Sequence, residues 1–290
     1  EMAFFEMASL VGLGSIPAEK RNPLELETRG IGELILQLVD QGVKTICVGI
    51  GGSATNDGGI GMAAGLGVAF YDEQGHLLRP VGASLGRVAR IDTSAVPKAL
   101  EDIDLQVLTD VTNPLCGSQG ATYIFGGQKG LNPLLFPAID QAMQGFYQLV
   151  DARILSMAGA GAGGGMAAGL VAFAGGQISS GIEKSLDLID FDHKVQKADL
   201  VVVGEGRMDL QSLSGKAPVG VAKRTPEKIP VIAICGSLAE DLPTFPSQNI
   251  DAAFSIVPGP CEVADALAHA ERNLISCARN IGNLLKIKAN

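Results

Sequence analysis

The chain has no tryptophan among its 290 residues, and only 4% of them are aromatic. Large rings therefore cannot fill its interior. Packing must rest on Ala, Val, Ile and Leu with close backbone approach, which 38 glycines permit. Such a composition suits layered α/β structure better than a β-sandwich. Basic clusters are also missing. A net charge of −9 and a pI near 4.9 repel nucleic acid and anionic lipid, so neither is an expected partner. No apolar run approaches the roughly 18 residues needed to cross a bilayer. The apolar opening AFFEMASLVGLG is interrupted by Glu6 and lacks a basic leader, which argues against a signal peptide. Cys47, Cys116, Cys235, Cys261 and Cys277 form no CxxC and no zinc-spaced Cys/His set. They read as reduced, buried thiols of a cytoplasmic protein.

What is present is an alternation of helical and strand-like segments long enough for two domains. Residues 29 to 42 read as a helix stopped by Gly42, feeding the buried strand TICVGI. Further strands are expected at Val68 to Tyr71, Leu105 to Leu108, Ala198 to Val203, Pro230 to Ile234 and Ala252 to Val257. Helices are expected over 133 to 151 and, as one long terminal element, over Val263 to Leu285. A charged stretch from Ser185 to Lys197 is the candidate hinge.

The densest signal is GIGGSATNDGGIG, Gly49 to Gly61, where six glycines surround Asn56 and Asp57 just after a strand. Glycine lets backbone N–H groups approach an anion without side chains intervening. Gly49, Gly51 and Ala54 also fit G-x-G-x-x-A, with Asp72 beyond the next strand, so an NAD-dependent oxidoreductase is the rival reading. Against it, Asp57 would set a negative charge beside a pyrophosphate, and the glycines that follow make a poor helix. No Walker A motif occurs, because Gly215-Lys216 lacks that motif's leading glycine. Lys129, Arg207 and Lys216 each sit in a glycine-containing turn and could serve phosphate oxygens or simply be solvated. The acids Asp57, Asp110, Glu205 and Asp209 follow three expected strands. Such acids bind Mg²⁺, act as a general base, or only cap turns. His76, His193 and His269 share no motif, and there is no GxSxG elbow.

GIGGSATNDGGIGM from Gly49, TDVTNPLCGSQGATYIFGGQKG from Thr109, MAGAGAGGGMAAGL from Met157, GEGRMDLQSLSGKAPVGVA from Gly204 and DAAFSIVPGP from Asp251 together resemble the bacterial glycerate kinase family that lacks a P-loop. The likeness covers nearly the whole chain, although the family's opening strand and Asp-Ser-Phe-Lys loop have no counterpart. An N-terminal segment is therefore expected to be missing. The resemblance implies two α/β domains, one Rossmann-like and discontinuous with the other inserted in it. Residues 1–190 would be the inserted domain and 191–290 the C-terminal part of the first, with the active site in the cleft. It implies transfer of the γ-phosphoryl of ATP to a hydroxyl of glycerate with Mg²⁺, leaning toward 2-phosphoglycerate. A non-catalytic small-molecule-binding remnant is the other alternative, and a homo-oligomer is left open. In that frame Asp110 is the first choice to orient or deprotonate the hydroxyl. Asp57, Asn56 and Asn113 hold substrate or metal, and Glu205 and Asp209 hold Mg²⁺. Arg207, Lys216 and Lys129 clamp phosphates or the carboxylate. Gly51, Gly52, Ser53, Gly204 and Gly206 bring loop backbone to the ligands, and the helix after Gly159 to Gly165, approached through Gly163 and Gly164, presents free N–H groups as a further anion site.

Overall fold

The computed structural model describes residues 1–210, 212–214 and 217–288. They divide into two compact units, Glu1–Gly181 and Ile182–Asn290. Both are α/β, as composition and alternation indicate.

The first unit opens with β1 (Met2–Glu6), α1 (Ala8–Val11), α2 (Arg29–Asp40), β2 (Thr45–Gly49), α3 (Ile60–Gly65), β3 (Ala69–Tyr71) and β4 (Arg90–Asp92). It continues with β5 (Asp104–Leu108), α4 (Ala121–Phe125), α5 (Phe136–Val150), α6 (Ala162–Ala174) and β6 (Gln177–Ser179). Its main sheet is entirely parallel in the order β1-β2-β5-β6, with Phe4 opposite Cys47 and Cys47 opposite Gln106. Ile46 and Val48 on β2 and Leu105 and Val107 on β5 turn inward against Ile31 and Ile35 of α2 and Met166 and Leu170 of α6. Ile31 and Ile35, one helical turn apart, give α2 its apolar stripe. Gly42, at φ +82°, ends that segment in the left-handed conformation glycine accepts most readily. A second core gathers Phe70, Leu85, Leu115, Met143, Phe146 and Tyr147 around α5.

The second unit comprises α7 (Gly181–Leu188), α8 (Phe191–Val195), β7 (Val201–Val203), β8 (Arg207–Met208), α9 (Ala217–Arg224), β9 (Val231–Cys235), β10 (Ser237–Leu238), β11 (Ala252–Ser255), α10 (Val263–Ala268) and α11 (Ala270–Lys288). Its sheet is parallel in the order β11-β9-β7, and β8 and β10 form a small parallel pair. The charged stretch from 185 to 197 is largely helical. Arg224 of α9 binds Glu183 and Asp187 of α7 and Asp192 of α8 at 3.2, 2.6 and 2.8 Å, so one guanidinium draws three helices together.

Four expectations need correction. The terminal helix is two helices, α10 and α11, parted at His269. The strand expected over Ala198 to Val203 is confined to Val201–Val203. Only Cys47 and Cys235 are fully buried, whereas Cys261 is exposed. Finally, Asp72, offered by the dinucleotide reading as a ligand near the end of the next strand, follows β3, which pairs antiparallel with β4. Asp72 accepts backbone N–H bonds from Gln74 and His76, which makes it a turn residue rather than a ribose ligand.

Candidate active site

Because β1, β2, β5 and β6 run parallel, their C-terminal ends share one edge, where α/β proteins collect reactive groups. Glu6, the Gly51–Gly52 turn, Thr109 with Asp110, and Ser180 follow or end those four strands. Asp110 is exposed and accepts from Ser180 Oγ at 3.1 Å. Thr109 Oγ1 accepts from the Val111 N–H at 3.3 Å, which turns the chain away at the strand end. Asn113 braces the next stretch: its Nδ2 donates to Gln119 O and its own carbonyl accepts from the Gly161 N–H.

The glycine loop is arranged differently from its sequence reading. Within Gly51 to Gly61 only Gly51 and Gly52 are exposed. Asn56 and Asp57 are both fully buried, behind the surface they were expected to form. Asp57 accepts from Thr28 Oγ1 at 2.6 Å and from the N–H groups of Gly59 and Gly61 at 3.0 and 3.4 Å. It thus satisfies donors at the start of α3, where a carboxylate is favoured. Complete burial pushes its pKa above the ordinary carboxylate value, while those hydrogen bonds and Lys129 pull the other way. Asn56 Nδ2 donates to Thr122 Oγ1 at 3.1 Å. Ser53, also buried, and Thr55 receive Lys129, whose Nζ donates to Ser53 Oγ and Thr55 O at 2.8 Å each.

Tyr147 closes the back of this network, its hydroxyl donating to Gly58 O at 2.7 Å. Tyr147→Phe leaves that buried carbonyl unpaired. Stability should fall by about 1 to 2 kcal/mol, read from the denaturant midpoint. An unchanged midpoint would mean that the bond contributes nothing.

Gly163, Gly164 and Gly165 all have positive φ, so the expected regular helix entry is interrupted there. Gly164 O accepts the Gly58 N–H at 3.0 Å, and the run lies directly against residues 55 to 58. These glycines allow two backbones to meet, and the regular turns of α6 begin after them, at Met166.

In the second unit the turns after β7 and β9 are joined, with Gly236 N–H donating to Glu205 O and Ser237 N–H to Gly206 O at 3.0 Å each. Gly204, Gly206 and Arg207 are exposed. Asp209 Oδ1 accepts from the Ser212 N–H and Oγ at 3.0 and 3.2 Å. Lys216 lies outside the described residues. Among those described, no three His, Cys, Asp or Glu side chains converge. Mg²⁺ needs only one or two carboxylates when phosphate oxygens complete its shell. Glu205 fits such a role, because its Oε1 is buried without a hydrogen-bond partner. A hollow of about 350 Å³ lined by Thr225, Val231 and Asp251 lies at the opposite, N-terminal edge of this sheet, away from these turns.

Comparison with known proteins assigns the scaffold. The glycerate kinase family pattern matches residues 1–286. The chain belongs to the glycerate kinase family. It is therefore a kinase, a phosphoryl transferase, and membership implies use of ATP. Similar proteins include a glycerate kinase of Neisseria meningitidis serogroup B, 57% identical over 99% of this chain and 77% of that protein. A glycerate 2-kinase of Escherichia coli is 41% identical over 98% of this chain and 76% of its own length. A crystal structure from Salmonella typhimurium, proposed to be a glycerate kinase 2, superposes with a TM-score of 0.78 at 41% identity, covering 99% of this chain and 76% of that one. Among the described residues no helix is long and apolar enough to cross a membrane.

Within this glycerate kinase scaffold, sequence reasoning overlooked Glu6 and Ser180 as edge residues. Their signal was positional: each stands at or just past a strand end. Ser180 escaped notice because β6 is only three residues long and follows a glycine pair.

Proposed function

We propose that the protein transfers the γ-phosphoryl group of ATP to a hydroxyl of glycerate, giving 2-phosphoglycerate. The observation that carries this reading is 57% identity over 99% of the chain to a protein named glycerate kinase. The name glycerate 2-kinase on a 41% identical relative supports the position of transfer. The geometry agrees: an exposed carboxylate, Asp110, stands at the C-terminal sheet edge where a hydroxyl can reach it. Asp110 orients or deprotonates that hydroxyl, and Ser180 holds its carboxylate. Gly51 and Gly52 offer backbone to the anionic substrate, with Asn113 bracing the neighbouring loop. Asn56 and Asp57 act indirectly, fixing the loop from within.

Arg207, exposed on its strand, clamps phosphate oxygens, and Lys216 is assigned the same task. Mg²⁺ when bound neutralises charge developing on the transferred group. Glu205 would hold it, with Asp209, four residues on, as the second carboxylate. The second unit is read as the C-terminal part of a discontinuous Rossmann-like domain, supported by its parallel β11-β9-β7 order.

The test is a kinase assay with ATP, Mg²⁺ and glycerate, the product identified by phosphorus NMR. Phosphate on the 3-hydroxyl would overturn the assigned position, and no glycerate-dependent consumption of ATP would overturn the function. Arg207→Ala should raise KM for an anionic ligand about tenfold, since a charged hydrogen bond contributes about 1.5 kcal/mol or more. If affinities for ATP and glycerate both stayed at wild-type values, the clamp assignment would be wrong.

A further inference from the structure

Lys129 was expected to reach for phosphate, yet its side chain points into the protein. It is 3% exposed and forms the two hydrogen bonds that fasten the buried half of the glycine loop. Those bonds span 76 and 74 residues of sequence and end on Ser53 Oγ and Thr55 O. Immediately before Ser53 stand Gly51 and Gly52, the exposed residues of the loop. On its other side the turn is tied by Leu13 N–H to Gly52 O at 2.8 Å and by Ala54 N–H to Val11 O at 2.9 Å. The exposed glycines are therefore stretched between two internal anchors. Gly52 holds φ at +67°, and without these anchors two consecutive glycines would sample many conformations.

We propose that Lys129 is a positioning residue: it latches Ser53 and Thr55 so that the Gly51–Gly52 backbone is held ready for the anionic substrate. This rests on the reading of that turn as part of the glycerate site. Burial holds the ammonium's pKa down at about 8, and the nearby Asp57 is the charge that offsets it. A group so enclosed does not meet solvent phosphate. The cost of burying the charge is tolerated because the bonds restrain a segment otherwise made of freely turning residues. A ligand meeting a preset backbone loses less conformational freedom on binding.

Lys129→Met keeps most of the unbranched apolar stem and removes the ammonium that makes both hydrogen bonds. KM for glycerate should rise about tenfold, with kcat and KM for ATP within about twofold of wild type. Hydrogen exchange of the amides from 51 to 56 should accelerate. A purely stabilising residue would lower the unfolding midpoint without separating the two KM values. A raised KM for ATP with glycerate unaffected would overturn the latch in favour of a nucleotide clamp. Unchanged exchange and unchanged kinetics would overturn it outright. Should Lys129→Met fail to fold, Ser53→Ala removes one acceptor alone and should give the same pattern at smaller size; wild-type behaviour there would equally reject the latch. A wild-type protein that does not turn over glycerate overturns the functional reading and the positioning role with it. Unchanged exchange in a variant of an active enzyme overturns the latch alone.

Discussion

Asp110→Asn should lower kcat by about 10³-fold, within the range of 10² to 10⁴ that a positioned acid or base contributes. The substitution keeps the size of the side chain and leaves a carbonyl oxygen that can still accept from Ser180 Oγ. What it removes is the basic oxygen that takes or steers the hydroxyl proton. Asp110 is exposed at the end of β5, so its replacement opens no cavity in the core. The unfolding midpoint should therefore stay within a degree or two of wild type, as expected for a surface substitution outside the core. Loss of turnover with intact stability separates chemistry from folding. Full retained turnover would remove Asp110 from the mechanism and shift attention to the other acid at this edge, Glu6. A 10³-fold loss accompanied by a collapsed midpoint would instead make Asp110 a structural cap for the Ser180–Gly181 segment.

The layered α/β architecture was legible because its determinants are local. Buried parallel strands read as apolar runs such as Ile46 to Val48, and helix stops read as glycines such as Gly42. The break between α10 and α11 was not legible, because neither glycine nor proline stands at His269. At the site, the strand ends carrying Asp110 and the Gly51–Gly52 turn were found by the same local logic. The orientation of side chains was not. Asn56 and Asp57 sit among glycines in a way that suits an exposed ligand loop and an internal brace equally well. The decision lies with Thr28 and Thr122, 29 and 66 residues away in sequence. Lys129 is the same case: a lysine in a glycine turn reads as solvated until Ser53 is brought to it by the fold.

Gly164→Ala shows how costly that hidden packing is to disturb. Gly164 has φ +74°, and an alanine methyl there would be driven into Thr55 O, with Asn56 Cα only 3.0 Å away. Both neighbours are backbone, so no rotamer change relieves the clash. Left-handed strain costs about 1 to 2 kcal/mol and overpacking about 1 to 3 more. A loss of about 3 kcal/mol or more is expected, or roughly 6 to 12 °C in midpoint for a unit of this size. Gly51→Ala is the paired control: nothing lies within 4 Å of the added methyl, so stability should hold. If Gly164 instead bound an anion directly, alanine would weaken ATP binding while leaving the midpoint close to wild type. That outcome would support the anion-site reading. A fallen midpoint for Gly164→Ala, with Gly51→Ala at wild type, would show that the buried half of the loop is held by this close approach, since Thr55 and Asn56 are what the added methyl displaces.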